Sequence, residues 1–205
     1  TTGAARYAVG PNNNSGQGIQ NSFNEKYDSD LLQLVDLNVT EGEFYDVCKV
    51  EFDISIYSDE LSFKYVFGSE EYPEFVGSFH DLFGFFISGP GIVGTKNMAL
   101  IPNTNDPVSV STVNPTINSF YYKANGDGNV PPFSPVMQYD GYTKLLTAKT
   151  SVIPCETYHI KLIIADEGDG IYDSGIFLEA GSFKSSDERI TKRYEYPQYD
   201  YAIEG

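Results

Sequence analysis

Between residues 47 and 57 apolar and polar side chains alternate: Cys48, Val50, Phe52, Ile54 and Ile56 share one parity, and Lys49, Glu51, Asp53 and Ser55 share the other. Successive side chains of a strand point to opposite faces, so this pattern predicts a strand buried on one side. Leu61, Phe63, Tyr65 and Phe67 repeat it after a polar turn at residues 58–60, and a hairpin is the simplest connection. Residues 83–87 form a short continuous apolar run closed by Ser88-Gly89-Pro90-Gly91, which reads as a central strand. Tyr158, Ile160, Leu162 and Ile164 alternate with Thr157, His159 and Lys161, and residues 175–183 read as a partner strand. Weaker strands are predicted at 98–101, 108–113, 120–123 and 144–152. The one helix candidate is short: Asp28, Ser29 or Asp30 can cap a turn or two carrying Leu31, Leu32, Leu34 and Val35.

Many short strands punctuated by Gly, Pro and Asn predict an all-β fold, a β-sandwich of jelly-roll type with at most one short helix. A chain of 205 residues can bury one substantial core, so residues 1–185 are read as one domain. Residues 186–205, rich in Tyr and charge around Pro197, are read as a linker strand toward a following domain. Residues 10–18 (GPNNNSGQG) are polar and flexible by composition. No internal repeat is visible. Sixteen Tyr and fourteen Phe with no Trp suit half-buried pleated surfaces.

Charge narrows the classes of partner. Thirteen Lys and Arg stand against 29 Asp and Glu, a formal charge of -16, and a surface of that sign repels phosphate backbones and anionic lipid heads. Nucleic acid is therefore not an expected partner. No apolar run reaches the 18 residues of a membrane-spanning helix, and Thr1 opens no hydrophobic leader, so a soluble, already trimmed chain with no direct membrane insertion is expected. The carboxylate excess favours bound divalent cations, calcium best of all because it takes only oxygen ligands. Cys48 and Cys155 cannot build a disulfide framework, although one bridge between them is conceivable.

Three groups of residues carry candidate chemistry. Asp166, Asp169 and Asp173 fall within one Gly-containing loop, a spacing at which several carboxylates can surround one hard cation. The loop is not an EF-hand, because Phe177 stands where that motif needs its distal Glu, and the alternative is that these aspartates cap turns. Glu70, Glu71 and Glu74 form a second acidic group beside Tyr72 and Phe75. Neighbouring strand residues face opposite ways, so Glu70 and Glu71 are a poor glycosidase pair, whereas Glu71 can meet Asp81 or Asp173 and joins the expected metal ligands. Residues 125–129 (NGDGN) alternate oxygen-bearing side chains but lack a distal acid, and a plain turn is the simpler reading. His80 and His159 are the only histidines, and no nucleophile elbow accompanies them, so neither zinc nor triad chemistry is expected. Tyr142, Tyr172 and the tail group Tyr194, Tyr196, Tyr199 and Tyr201 can form an aromatic platform for a sugar or a protein. Cross-strand pairing within a Tyr-rich sheet is the alternative.

Residues 65–76 (YVFGSEEYPEFV) and 81–91 (DLFGFFISGPG) resemble the choice-of-anchor L domain of bacterial surface proteins. Residues 97–102 (NMALIP), 139–143 (YDGYT) and 158–174 (YHIKLIIADEGDGIYDS) follow in the family's order. The resemblance runs from about residue 2 to 183. It implies a secreted, multidomain protein held at the envelope by a C-terminal anchor, in many Bacteroidetes exported by type IX secretion, and it implies no settled activity. Residues 1–3 resemble the end of a segment with a longer lead, so one or two N-terminal strands are expected to be missing. Cys155 stands where the family more often has glycine and Cys48 where it has an ordinary apolar residue, and this paired departure favours a disulfide. The resulting expectation is a non-catalytic binding or adhesion module, calcium-stabilised, at the cell surface. Its partners would be a surface protein or glycan and the other domains of the same polypeptide. A carbohydrate-binding accessory domain or glycan-active enzyme, and a structural spacer, are the alternatives.

Overall fold

Residues 47–56 of the alternating segment fall in Phe44–Ile56, the longest of the described strands of a two-sheet β-sandwich. The structure, a computed structural model, describes residues 1–16, 18, 28–34, 44–79, 81–168 and 170–185. Its strands are β1 (Phe44–Ile56), β2 (Glu60–Ser69), β3 (Leu82–Ser88), β4 (Lys96–Asn97), β5 (Tyr122–Ala124), β6 (Gly141–Thr143), β7 (Leu146–Ser151), β8 (Glu156–Glu167), β9 (Ser174–Leu178) and β10 (Lys184–Ser185). One sheet runs β1-β8-β3-β4. The other is built on β2, with β9 and β10 along one edge, β6 and β7 along the other, and β5 outside β6. All of these pairings are antiparallel, and the connections β1 to β2, β2 to β3, β7 to β8 and β8 to β9 each cross from sheet to sheet.

Aromatic residues fill the space between the sheets. Phe63, Tyr65 and Phe67 of β2 face Phe83, Phe85 and Ile87 of β3 and Tyr158, Ile160 and Ile164 of β8, with the Phe63 and Phe85 ring centroids 3.6 Å apart. A second cluster covers the outer face of the first sheet, where Leu31 packs with Phe44, Val47, Leu82, Phe86, Ile163 and Ala165. Apolar cover on both faces explains why β3 reads as a continuous run rather than an alternation. Ala8, Met137 and Tyr139 form a third, smaller cluster.

Several expectations change at the tertiary level. The turn at residues 58–60 is no hairpin: β1 pairs with β8 and β2 with β7 and β9, so the turn carries the chain across the sandwich and lets both apolar faces meet. For the same reason β9 is not the partner of β8 but pairs with β2, from Tyr65↔Leu178 to Ser69↔Ser174. The predicted helix is a single 3-10 turn, Leu31–Gln33, and Val35 lies outside the described residues. Two further 3-10 turns stand at Ala5–Ala8 and Ser119–Tyr121. Residues 98–101 and 108–113 contribute only isolated bridges, although Met98, Ile101, Val108, Val110 and Val113 enter the core. Within residues 10–16, Asn12 is buried and donates to the Gly126 carbonyl and to Asp140, so the polar composition there marks a buried network.

The inward parity of β1 is covered over only part of its length. Ile56 is buried and Ile54 half-buried, but Cys48 is exposed and Val50 is 55 % exposed. The expected disulfide is absent: Cys48 and Cys155 are both free. Cys48 pairs with Ile164, whereas the Cys155 N–H donates to the carbonyl of Ile56 at the other end of β1. Because β1 and β8 are antiparallel, two cysteines near the starts of these strands sit at opposite ends. From position 48 to 56 the separation is roughly 27 Å at about 3.4 Å per residue, against a limit of about 7 Å between Cα atoms.

Candidate functional site

Two of the motif-bearing segments meet at one end of the sandwich: the loop after β2 and the loop between β8 and β9. The ladder between β2 and β9 brings them together, ending at Ser69↔Ser174 and continued by the Glu70 N–H, which donates to the Asp173 carbonyl at 3.1 Å. The N-terminal residues close the same end. The Thr2 N–H donates to the Ser174 carbonyl and the Ser174 N–H to the Thr2 hydroxyl, both at 2.9 Å. Gly3 lies so close to Asp173 that an added Cβ would stand 1.8 Å from its Oδ2.

Beneath these loops lies a group of buried carboxylates. Asp46, Glu71, Asp81, Asp166 and Asp173 are all 3 % exposed or less. The Ser69 and Ser174 hydroxyls both donate to Asp81 Oδ2, and the Glu71 N–H donates to the Ser69 hydroxyl at 3.0 Å. Asp166, at the end of β8, is the most perturbed. Burial is the main force pushing its carboxyl up to about 10, with the negative charges of Asp81, Asp173 and Asp46 adding to it and the Thr2 hydroxyl opposing them. That hydroxyl is turned to the Ser174 carbonyl, and neither Asp166 oxygen receives a well-placed hydrogen bond. A second acidic pair lies alongside. The Asp140 N–H donates to Glu70 Oε2 at 3.1 Å and Asn12 donates to Asp140 Oδ1 at 2.8 Å. Burial raises Asp140 to about 6 despite these bonds.

Aromatic rings cover the loop tips. Phe75 stacks on Tyr172 with centroids 5.0 Å apart and meets Phe79 edge-on at 5.9 Å. Gly168 lets Phe79 approach, since its missing Cβ would stand 2.9 Å from the ring. Ile171 beside this group is 55 % exposed.

Of the residues singled out in the sequence, Asp166, Asp173, Glu71 and Tyr172 come together here. Asp169 and His80 lie outside the described residues, as does the tail tyrosine group. Tyr142 does not join this end: it pairs with Gly68 and Lys123 and packs with Ala8, Met137 and Tyr139. Among the described residues, no three His, Cys, Asp or Glu side chains stand in an arrangement that could hold a metal ion. The segment 125–129 is a turn closed by the Asn129 N–H on Asp127 Oδ1, with Asn125 turned inward to the Met137 and Tyr139 carbonyls. His159 sits on the wet face against Asp53 at 2.8 Å. Sequence reasoning missed Asp46 altogether and weighed Asp81 only as a partner for Glu71. The available signal at Asp81 was an ionisable residue placed directly before the most apolar strand.

The two antiparallel sheets make an all-β sandwich, with the loop after β2 and the loop between β8 and β9 meeting at one end. The chain belongs to the choice-of-anchor L domain family, whose model matches residues 1–184. No curated protein and no solved structure matches it. Membership makes the chain a module of a secreted or cell-surface protein. Among the described residues no helix is long and apolar enough to cross a membrane.

Proposed function

We propose that the chain is a non-catalytic binding or adhesion module of an envelope-anchored protein, and that calcium locks its loop end. The observation that carries the cation is Asp166: a buried carboxylate without adequate donors, whose neighbouring charges are the carboxylates Asp81, Asp173 and Asp46. Such a group is tolerated only with a proton or a cation, and an all-oxygen environment of carboxylates, hydroxyls and carbonyls suits calcium. Asp166 and Asp173 are the proposed ligands, with Asp169 from the same loop and Glu71 from the facing one. Calcium also accepts backbone and hydroxyl oxygens, so the ion does not require three converging carboxylates among the described residues.

The binding role rests on the aromatic tip made by Phe75, Phe79 and Tyr172 with exposed Ile171, which the locked loops would present to a surface protein or glycan. A glycosidase reading finds no support in this geometry, because Glu71 and Asp81 are 2 % and 1 % exposed and give a sugar no access to the pair. The test is thermal melting of metal-free protein with millimolar calcium or chelator. A hundredfold excess over Kd adds about 2.7 kcal/mol, which for a chain of this size raises Tm by about 5–10 °C. Asp173→Asn should abolish the response and magnesium should reproduce it poorly. Identical melting curves with calcium and chelator would refute the cation. Glycan-array binding lost in Tyr172→Ala would assign the tip to a sugar.

A further inference from the structure

The outer face of the first sheet carries a second polar group, away from the acidic end. Across three neighbouring strands the ladder sets Asp53, His159 and Ser88 in one row and Glu51, Lys161 and Phe86 in the next. Ser88 closes β3 and Leu82 opens it, so this group stands about 20 Å along the sheet from the loops that meet at the other end. Gly84 shares the face with Phe86, and the Phe86 ring lies back over it, where an added Cβ would stand 2.1 Å from the ring. With the ring drawn aside, a cleft of about 120 Å³ opens between Phe86, Lys161, His159 and Glu51, bounded by Asp30, Ser88 and Thr95. A volume of that order takes one six-membered ring.

The charges around the cleft favour an uncharged occupant. Lys161 is already held by Asp30 at 2.6 Å and by Asp28 at 3.0 Å, and His159 Nδ1 stands 2.8 Å from Asp53. A cation entering here meets the Lys161 ammonium, and an anion meets Asp30 and Glu51 in a chain of formal charge -16. What remains unused is hydrogen-bonding capacity. Among the described residues the cationic nitrogen nearest Glu51 is His159 Nε2 at 3.5 Å, with Lys49 and Lys161 at 3.8 Å, all beyond ordinary hydrogen-bond length. The Ser88 and Thr95 hydroxyls have no hydrogen-bond partner among the described residues. A carboxylate accepts only, a hydroxyl both donates and accepts, and an imidazole nitrogen does one or the other. An uncharged ring bearing several hydroxyls answers all four groups, and its C–H face suits the apolar wall made by Phe86.

We propose that this cleft binds one neutral saccharide unit, with Glu51, His159, Ser88 and Thr95 as its hydrogen-bonding residues. The site is independent of the cation and of the aromatic tip made by Phe75, Phe79 and Tyr172.

Two-dimensional amide NMR of the full chain tests it with a panel of free monosaccharides: neutral hexoses, deoxyhexoses, pentoses and N-acetylhexosamines, beside charged hexuronates and hexosamines. At least one neutral sugar should shift the amides of residues 86–88 and 159–161, with a Kd of about 1–10 mM, the strength expected of a single ring. Glu51→Ala should weaken that binding about tenfold and Ser88→Ala about two- to tenfold, with the rest of the spectrum unchanged, whereas Tyr172→Ala should leave it as it is. No shift from any neutral sugar overturns the proposal. A hexuronate or hexosamine that binds more tightly than every neutral sugar also overturns it. Binding lost in Tyr172→Ala but kept in Glu51→Ala would overturn it too, and would assign the sugar to the loop tip.

Discussion

Replacing Asp166 by Asn tests whether the acidic end costs the fold stability at neutral pH when no cation is present. The two side chains have the same shape, but Asn has no charge to bury and its amide can donate toward the neighbouring carboxylates. Asp166 is 1 % exposed and its carboxyl is held at about 10 in the folded chain against an ordinary 3.8. Between those values the folded state keeps a proton that the unfolded chain releases. The favourable contribution of this group is therefore complete below about pH 4 and declines as pH rises toward 10, at about 1.4 kcal/mol per pH unit. At pH 7, about three units above the ordinary value, the wild type has lost about 4 kcal/mol that Asp166→Asn retains. Urea unfolding in chelator at pH 5, 6, 7 and 8 measures it. The variant's advantage should grow with pH by about 1.4 kcal/mol per unit, while groups common to both proteins, Asp140 among them, cancel. Excess calcium should flatten the wild-type curve, because the ion and the proton compete for the same carboxylate. Parallel stability curves for the two proteins would show that Asp166 ionises normally and would remove the basis for the cation.

Gly141→Ala should destabilise the domain by about 1–3 kcal/mol in denaturant unfolding, since the new Cβ would stand 2.6 Å from Tyr72 Cβ in the packed interior. Asn125→Ala should cost about 1–3 kcal/mol for each of the Met137 and Tyr139 carbonyls it leaves unmet, measured in the same way. Denatured but unreduced protein should take up two equivalents of iodoacetamide; no uptake would restore the disulfide. The His159 ring should titrate above its ordinary value by NMR, chiefly because of its hydrogen bond to Asp53, and should move back down in Asp53→Asn.

The alternation in β1, β2 and β8 and the apolar run of β3 made the strands and the all-β class legible, because side-chain parity is a local property of extended chain. The motif blocks likewise identified the loops at residues 70–81 and 166–174 before their contacts were known. Pairing was a different matter. Whether the turn at residues 58–60 folds back on itself or crosses the sandwich depends on which apolar face must be covered, and that is decided by β8 and β7, about a hundred residues further on. Antiparallel order alone moved Cys48 and Cys155 to opposite ends of one ladder. It also drew Asp46 from the start of β1, Asp81 from the start of β3 and Asp166 from the end of β8 into a single buried group, since those three termini lie at the same end of the first sheet. Spacing along the chain can propose that Asp166 and Asp173 share a site. Only the packing of two sheets removes water from them, and without that loss of solvent their charges would interact too weakly to demand a proton or an ion.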